Sequence, residues 1–263
     1  MKNLTNKKGF LILSAAFILL SACGPKDNSE DTGAVDPELP VITAEATVRS
    51  QTFTHINRDV LLDPAKTSDV DSLLVSGYLY EGLVTVDSSG NIQPGIAQSW
   101  TVSDDELDYI FEIRPNARFS DGSQITVDAI ADNFNRWFEP NSPLHGDGNF
   151  PSWLNRFLAF NGERDANNRA VSQVDGVQKV DSNTFIVHLN RIEPQLLNYL
   201  AEPAFAILSP ASLSNPAYGT SQSTIISSGA YVISSWTEEG MTLSPNPQYW
   251  NAAGGEDLKF IWK

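Results

Sequence analysis

The sequence has 263 residues, 41% of them hydrophobic and 10% aromatic, which is enough for one large or two small domains with a substantial core. Lysine and arginine number 17 against 32 acidic residues, giving a formal net charge of −15, so the chain lacks the basic surface that a general nucleic-acid binder needs to neutralise phosphates. The single cysteine, Cys23, excludes an intrachain disulfide and a thiolate metal cluster.

The first 22 residues have the pattern of a secretory signal. Three lysines and no acidic residue precede an uncharged run over 9–20, which is shorter than the roughly 20 apolar residues that span a membrane. The segment 20–24 (LSACG) follows, and it resembles the lipobox of bacterial lipoproteins, in which the cysteine receives diacylglycerol before cleavage. We therefore predict a lipoprotein signal peptide over 1–22, a lipid on Cys23 and an extracytoplasmic location at a membrane surface. The alternative is an ordinary signal peptide that contains a cysteine.

Residues 23–46 are polar, acidic and rich in proline and glycine. Such a composition cannot bury enough apolar surface to fold, so this segment is predicted to be a flexible tether. The folded part is expected to occupy residues 47–263.

A strand is predicted over 47–57, ended by Pro64. Ser68 is the expected N-cap of the first helix, with Asp71 three residues later. The helical period then places five residues on the core face: Val70, Leu73, Leu74, Gly77 and Tyr78. Strands at 83–86, 99–102 and 109–113, with polar turns between them, predict an antiparallel meander.

Thr126 is expected to cap the clearest helix, whose apolar positions have the spacing of one amphipathic face: Val127, Ile130, Ala131, Phe134, Trp137 and Phe138. A loop is predicted over 139–151. The elements expected after it are a strand over 185–189, a helix over 194–200, a strand over 204–208, a hairpin over 228–243 and a strand over 258–263.

Motifs for chemistry are missing from the sequence. It contains no nucleophile elbow, phosphate-binding loop, zinc-protease motif or C-x-x-C pair. The acidic stretches at 103–106 and 146–149 lack the ligand spacing of a calcium loop and are interpreted as turns. His145, between Pro143 and Gly146, is predicted to be an exposed loop residue. No catalytic residue, metal site or cofactor is predicted.

Three ordered segments resemble family 5 of the bacterial extracellular solute-binding proteins, the peptide and nickel receptors of ABC importers. The first joins LDPA at 62–65 to LYEGLV at 79–84. The second runs from PGIAQSWTVSDD at 94–105 through YIFEIRPNARFSDG at 109–122 to TVDAI at 126–130. The third combines SSGAY at 227–231 with Trp236 and NPQYW at 246–250. Together they cover roughly residues 47–263.

The resemblance implies an α/β fold of the periplasmic-binding-protein type, peptide-binding class, with a mixed sheet and an antiparallel meander. Family members have two lobes and are about twice as long, so we expect residues 47–263 to be the N-terminal part, without the second lobe and the C-terminal return. The implied function is non-enzymatic: capture of oligopeptides or dipeptides by lobe closure, then delivery to ABC permease subunits. A monomer is expected.

The candidate ligand contacts in this half come from three places. They are the loop after the first strand (Asp59, Val60 and Leu61), the end of the first helix (Tyr78 and Glu81) and the segment Ser228, Gly229, Ala230 and Tyr231. Alternatives remain open at this point. The ligand can instead be a nickel chelate, haem or an oligosaccharide, and the chain can instead be a secreted hydrolase or a surface interaction lobe.

Overall fold

The computed structural model describes residues 50–251 and 255–263, so the predicted signal peptide, Cys23 and the tether lie outside the described residues. The helices are α1 (Val70–Leu79), α2 (Val127–Phe138), α3 (Pro151–Phe157), α4 (Leu196–Leu200) and α5 (Pro210–Leu213). The strands are β1 (Gln51–Ile56), β2 (Val84–Val86), β3 (Ile92–Pro94), β4 (Ala97–Val102), β5 (Asp108–Ile113), β6 (Val174–Lys179), β7 (Thr184–Leu189), β8 (Tyr231–Trp236), β9 (Gly240–Pro245) and β10 (Leu258–Trp262). Within the described part of the chain, no helix is both long and apolar enough to cross a membrane.

The strands form two four-stranded sheets and a separate hairpin. One sheet has the order β1-β10-β9-β8, with β1 parallel to β10 and the other pairs antiparallel. The second sheet has the order β4-β5-β7-β6 and is antiparallel throughout. The mixed α/β architecture is therefore confirmed.

The predicted meander is divided between two sheets. Among the described residues, β2 and β3 pair only with each other, and β4 starts the second sheet beyond Gly95. Pro94 ends β3, and proline has no N–H to donate to a continuing ladder. A Cβ at Gly95 would lie 2.7 Å from the Gly82 carbonyl oxygen, so the chain can turn here only at a glycine.

The helix α2 follows its prediction. The Thr126 hydroxyl accepts the Ala129 N–H at 3.1 Å, which satisfies one of the free donors of the first turn. All six apolar positions of the predicted face are buried. The helix packs on β6 and β7, where the rings of Phe134 and Phe185 are 5.1 Å apart.

For α1, the predicted cap is wrong, and the predicted core face is right only in part, since Leu73, Leu74 and Tyr78 pack half-buried against the two cores. The N-cap is Asp69, whose carboxylate accepts the Ser72 N–H at 2.8 Å. Val70 is 76% exposed, and the fully buried residues are Ser72, Val75, Ser76 and Leu79. Ser72 can lie on the buried face because its hydroxyl accepts the Leu61 N–H at 3.0 Å, a partner that hydrophobic periodicity does not reveal.

The region between residues 139 and 208 contains three further differences. The predicted loop ends in α3, which Pro151 starts as a first-turn proline. Residues 204–208 are not a strand: Pro203–Phe205 is a 3₁₀ helix, and the side chain of Asn133 bonds the backbone of Leu208. His145 is buried, because its Nδ1 bonds the Arg136 carbonyl at 2.8 Å and its ring packs on Phe150.

Two apolar cores support these layers. The larger lies between α2 and the second sheet and includes Trp137, Trp153 and Phe111. The smaller lies against the mixed sheet and includes Leu79, Leu243 and Phe260. Loops between the strands and helices line much of two concave surfaces.

Candidate functional site

A cleft of about 680 Å³ lies where strands of the mixed sheet end. Because β1 and β10 are parallel, their carboxyl ends lie at the same edge, and β8 ends there too. The cleft is lined by Arg58, Asp59, Val60, Leu61, Thr220, Ser221, Trp236, Thr237, Glu238 and Trp262. We call it the strand-end cleft. Three predicted contacts, Asp59, Val60 and Leu61, line it together, and ligands of open α/β sheets bind at such carboxyl edges.

A second cleft, of about 580 Å³, adjoins the first. It lies between the turn after β1, the last turn of α2, the loop 143–146 and the segment 212–220, and we call it the loop cleft. Its lining includes Asp63, Lys66, Arg136, Leu144 and Tyr218. Leu61 and Thr220 line both clefts, so the two adjoin at these residues, and we call them together the groove.

The groove has balanced charge although the whole chain is acidic. Three basic side chains (Arg58, Lys66 and Arg136) and three acidic ones (Asp59, Asp63 and Glu238) line it. Most of these charges are paired. Arg58 bonds Glu238 at 3.3 Å, Arg136 bonds Asp63, and the Lys66 ammonium bonds Asp147 at 2.6 Å. This wall therefore offers polar groups without strong attraction for ions of either sign.

The other predicted contacts surround a separate, smaller cavity of about 170 Å³, which we call the tyrosine pocket. The predicted residues that line it are Tyr78, Glu81, Gly229, Ala230 and Tyr231. The Tyr78 ring meets the Tyr231 ring edge-on, with centroids 5.9 Å apart. Burial raises the pKa of Tyr78 further above physiological pH, where the phenol is already neutral.

Glu81 is engaged by its own chain inside this pocket. Its two carboxylate oxygens accept hydrogen bonds from the Tyr249 hydroxyl and from Trp250 Nε1, each at 2.6 Å. The residue is 9% exposed, and burial raises the pKa of its carboxyl although both bonds and Arg114 oppose the rise. The Arg114 guanidinium in turn lies 3.7 Å from the centre of the Trp250 ring.

The segment of Ser228 and Gly229 packs against the end of α1. The Ser228 hydroxyl accepts the Glu81 N–H at 3.1 Å, and the Gly229 N–H donates to the Leu79 carbonyl at 2.8 Å. A Cβ at Gly229 would lie 2.9 Å from the backbone of Leu79 and Tyr80, so the close approach requires glycine. Ser228 is fully buried and lines none of the three cavities named here.

Apart from Leu61, sequence reasoning missed the residues of the loop cleft. Asp63 and Arg136 are 73 positions apart, and each lies beside apolar residues that explain its segment without a binding role. One available signal was Arg136 itself, a charged residue next to Trp137 on a helix whose predicted core face is apolar. Across residues 50–251 and 255–263, no group of three or more histidine, cysteine, aspartate or glutamate side chains could hold a metal ion.

Known proteins resemble this chain over most of its length. The Escherichia coli periplasmic murein peptide-binding protein MppA is 29% identical over 196 residues, which are 73% of this chain and 35% of that protein. The Salmonella typhimurium periplasmic oligopeptide-binding protein OppA is 30% identical over 198 residues, with the same two coverages of 73% and 35%. The chain thus spans about a third of the length of these curated relatives.

Solved structures also resemble this chain in fold. A Haemophilus influenzae OppA in complex with RPPGFSPFR matches with a TM-score of 0.64 and 25% identity, over 81% of this chain and 42% of that one. Residues 91–260 match the family model described as bacterial extracellular solute-binding proteins, family 5 Middle. That match covers more than half of the sequence. The chain therefore belongs to family 5 of the bacterial extracellular solute-binding proteins.

Proposed function

We propose that this protein is the extracytoplasmic receptor of an ABC importer and captures short peptides. The groove formed by the strand-end cleft and the loop cleft is one wall of the ligand site, and a second lobe, as the family resemblance implies, closes over it. Cys23 carries the lipid that holds the receptor at the membrane, and the permease subunits receive the ligand. The receptor acts as a monomer and without catalysis.

The observation that carries this proposal is that two sizeable clefts adjoin on one face of the protein. Two clefts of about 680 and 580 Å³ meet at Leu61 and Thr220, which suits an extended solute better than a compact one. Family membership and the peptide-binding relatives point to the same class of ligand. The equal numbers of acidic and basic groups along the groove favour a zwitterionic peptide over a strongly anionic chelate or haem.

Tryptophan fluorescence tests the proposal on the complete secreted protein. Trp236 is half-buried and lines the strand-end cleft, so its emission should change when a peptide binds. The titration uses di-, tri- and pentaalanine, with free alanine as a control. Because Trp262 lines the same cleft, Trp236→Phe combined with Trp262→Phe should remove most of the signal while calorimetry still detects binding.

The same samples separate the receptor from the hydrolase alternative. Mass spectrometry should recover each peptide intact after prolonged incubation. Absence of any change in fluorescence, heat or melting temperature across the whole peptide panel would contradict the proposal. Cleaved peptide, with cleavage abolished by a single carboxylate substitution, would support a hydrolase instead.

A further inference from the structure

The buried ion pair between Asp63 and Arg136 uses only part of its hydrogen-bonding capacity. Arg136 Nη2 donates to Asp63 Oδ2, but Asp63 Oδ1 and Arg136 Nη1 have no partner among the residues that the structure describes. Asp63 is 6% exposed and Arg136 is 4% exposed. Leaving charged groups buried with unmatched atoms destabilises a fold, so this arrangement needs a reason.

Both side chains line the loop cleft, and their neighbours there are already engaged. The Lys66 ammonium bonds Asp147 at 2.6 Å, and the Tyr218 hydroxyl bonds the Tyr80 hydroxyl at 2.5 Å. Asp63 and Arg136 are thus the charged residues of this cleft that keep an acceptor and a donor uncommitted within the described chain.

The pair is held rigidly from both sides. The Asp63 carbonyl accepts the Lys66 N–H at 3.0 Å, and Gly219, at φ +88°, approaches so closely that a Cβ there would lie 2.7 Å from the Asp63 nitrogen. Arg136 belongs to the last turn of α2, and its guanidinium lies 5.4 Å from the centre of the Phe150 ring. Rigid support of this kind is what a recognition site requires.

The ion pair has no net charge and keeps one acceptor and one donor free. It therefore complements an uncharged ligand group that supplies one donor and one acceptor. A ligand carboxylate would be attracted by Arg136 but repelled by Asp63, and a ligand ammonium the reverse, so the pair gives a charged group little net attraction. One residue of an extended peptide presents its N–H and its C=O on the same side of the chain, as in a β-ladder. Backbone groups therefore match the pair better than charged ends do.

We propose that Asp63 Oδ1 accepts a backbone N–H of the bound peptide and that Arg136 Nη1 donates to the C=O of the same residue. This assignment rests on the proposed function and makes recognition at this point independent of the ligand's side chains. Both atoms are shielded from solvent, so a neighbouring side chain of the loop cleft, and not the pair itself, must move aside before a peptide reaches them, a common change on complex formation. The shielding also strengthens the hydrogen bonds formed there.

The test compares variants of the complete secreted protein by calorimetry with trialanine, trivaline and triglutamate. Arg136→Lys keeps a charged donor for Asp63 but removes the second nitrogen. This variant should bind all three peptides with an affinity reduced by a similar factor of about ten, the loss expected for one charged hydrogen bond. Ser214→Ala, an exposed change in the lining of the same cleft, should alter affinity less than about twofold.

Ligand analogues test the same contact without altering the protein. Two trialanine esters are titrated against the wild-type protein. One has oxygen in place of the N–H of the second residue, and the other has it in place of the N–H of the third. One of them should bind about ten times more weakly than trialanine, and Asp63→Asn should reduce that penalty. Equal affinity of both esters and trialanine, or an Arg136→Lys variant that melts earlier but binds normally, would overturn the assignment. Failure of every peptide to bind wild-type protein would overturn the proposed function itself.

Discussion

Trp250 Nε1 donates a hydrogen bond of 2.6 Å to a carboxylate oxygen of Glu81, a residue 169 positions earlier in the chain. Tyr249 donates to the other oxygen, so the adjacent aromatic residues hold one carboxylate between them. The motif YEG at the end of α1 and the motif YW after β9 therefore meet in the tyrosine pocket. This contact gives Glu81 a structural role in addition to its predicted role as a ligand contact.

Glu81→Gln should destabilise the protein by about 1–3 kcal/mol, because the glutamine amide replaces one acceptor with a donor and leaves a buried donor unmatched. Equilibrium unfolding in urea measures this change. If Glu81 acts only structurally, peptide affinity stays at the wild-type value. A large loss of affinity with unchanged stability would show that Glu81 contacts ligand.

The difference in stability between the wild-type protein and Glu81→Gln should depend on pH. Burial raises the pKa of Glu81 above its ordinary value of 4.5, so the folded state favours the protonated carboxyl. The stabilisation from this group is fully present below pH 4.5 and declines as the pH rises through the raised pKa. Glutamine does not titrate, so the stability advantage of wild type over Glu81→Gln should shrink as the pH rises. A growing advantage would contradict the sign.

Asp69 should show the opposite pH dependence. The hydrogen bond from the Ser72 hydroxyl is the main reason that the pKa of Asp69 lies below its ordinary value of 3.8. Its stabilisation is therefore present above pH 3.8 and is lost as the pH falls through the lowered pKa. Asp69→Ala removes the N-cap of α1 and should cost about 1 kcal/mol at pH 7. Urea unfolding at pH 7 and pH 3 should show a smaller difference at pH 3, whereas Asp69→Asn should keep most of the cap.

Gly229→Ala should destabilise the protein by about 1–3 kcal/mol, because the added methyl group meets backbone atoms of Leu79 and Tyr80 that cannot move aside. Gly176→Ala is the matched control, since a Cβ at Gly176 in β6 meets nothing within 4 Å. Thermal unfolding of the two variants should separate them clearly. Equal melting temperatures would contradict the close approach of residue 229 to α1.

Asn133→Ala should cost about 2–4 kcal/mol, because two buried backbone groups lose their partner. Asn133 is fully buried, accepts the Leu208 N–H at 3.1 Å and donates to the Leu208 carbonyl at 2.8 Å. Asn198→Ala, an exposed asparagine in α4, provides the control and should change stability by less than about 0.5 kcal/mol. Urea unfolding measures both, and similar values would exclude Asn133 as a structural bridge.

The spacing of apolar residues was sufficient to predict a helix or strand wherever one face of that element packs on one core. α2 was predictable from its cap and its six apolar positions, and β5 and β7 from strict alternation, because each buries a single continuous face. The motifs at 94–130 and 227–250 were specific enough to indicate the family, since their residue types recur in a fixed order. Fold class and family were therefore contained in the sequence.

The arrangement of the site was decided by tertiary structure. The predicted contacts divide between the strand-end cleft (Asp59, Val60 and Leu61) and the tyrosine pocket (Tyr78 and its neighbours), because β1 is one outer strand of the mixed sheet and α1 contacts β8, the other outer strand. Asp63 and Arg136 were missed because a buried ion pair between residues 73 positions apart leaves no periodic trace. Periodicity reports which face of one element is apolar, whereas a cleft depends on which elements come together.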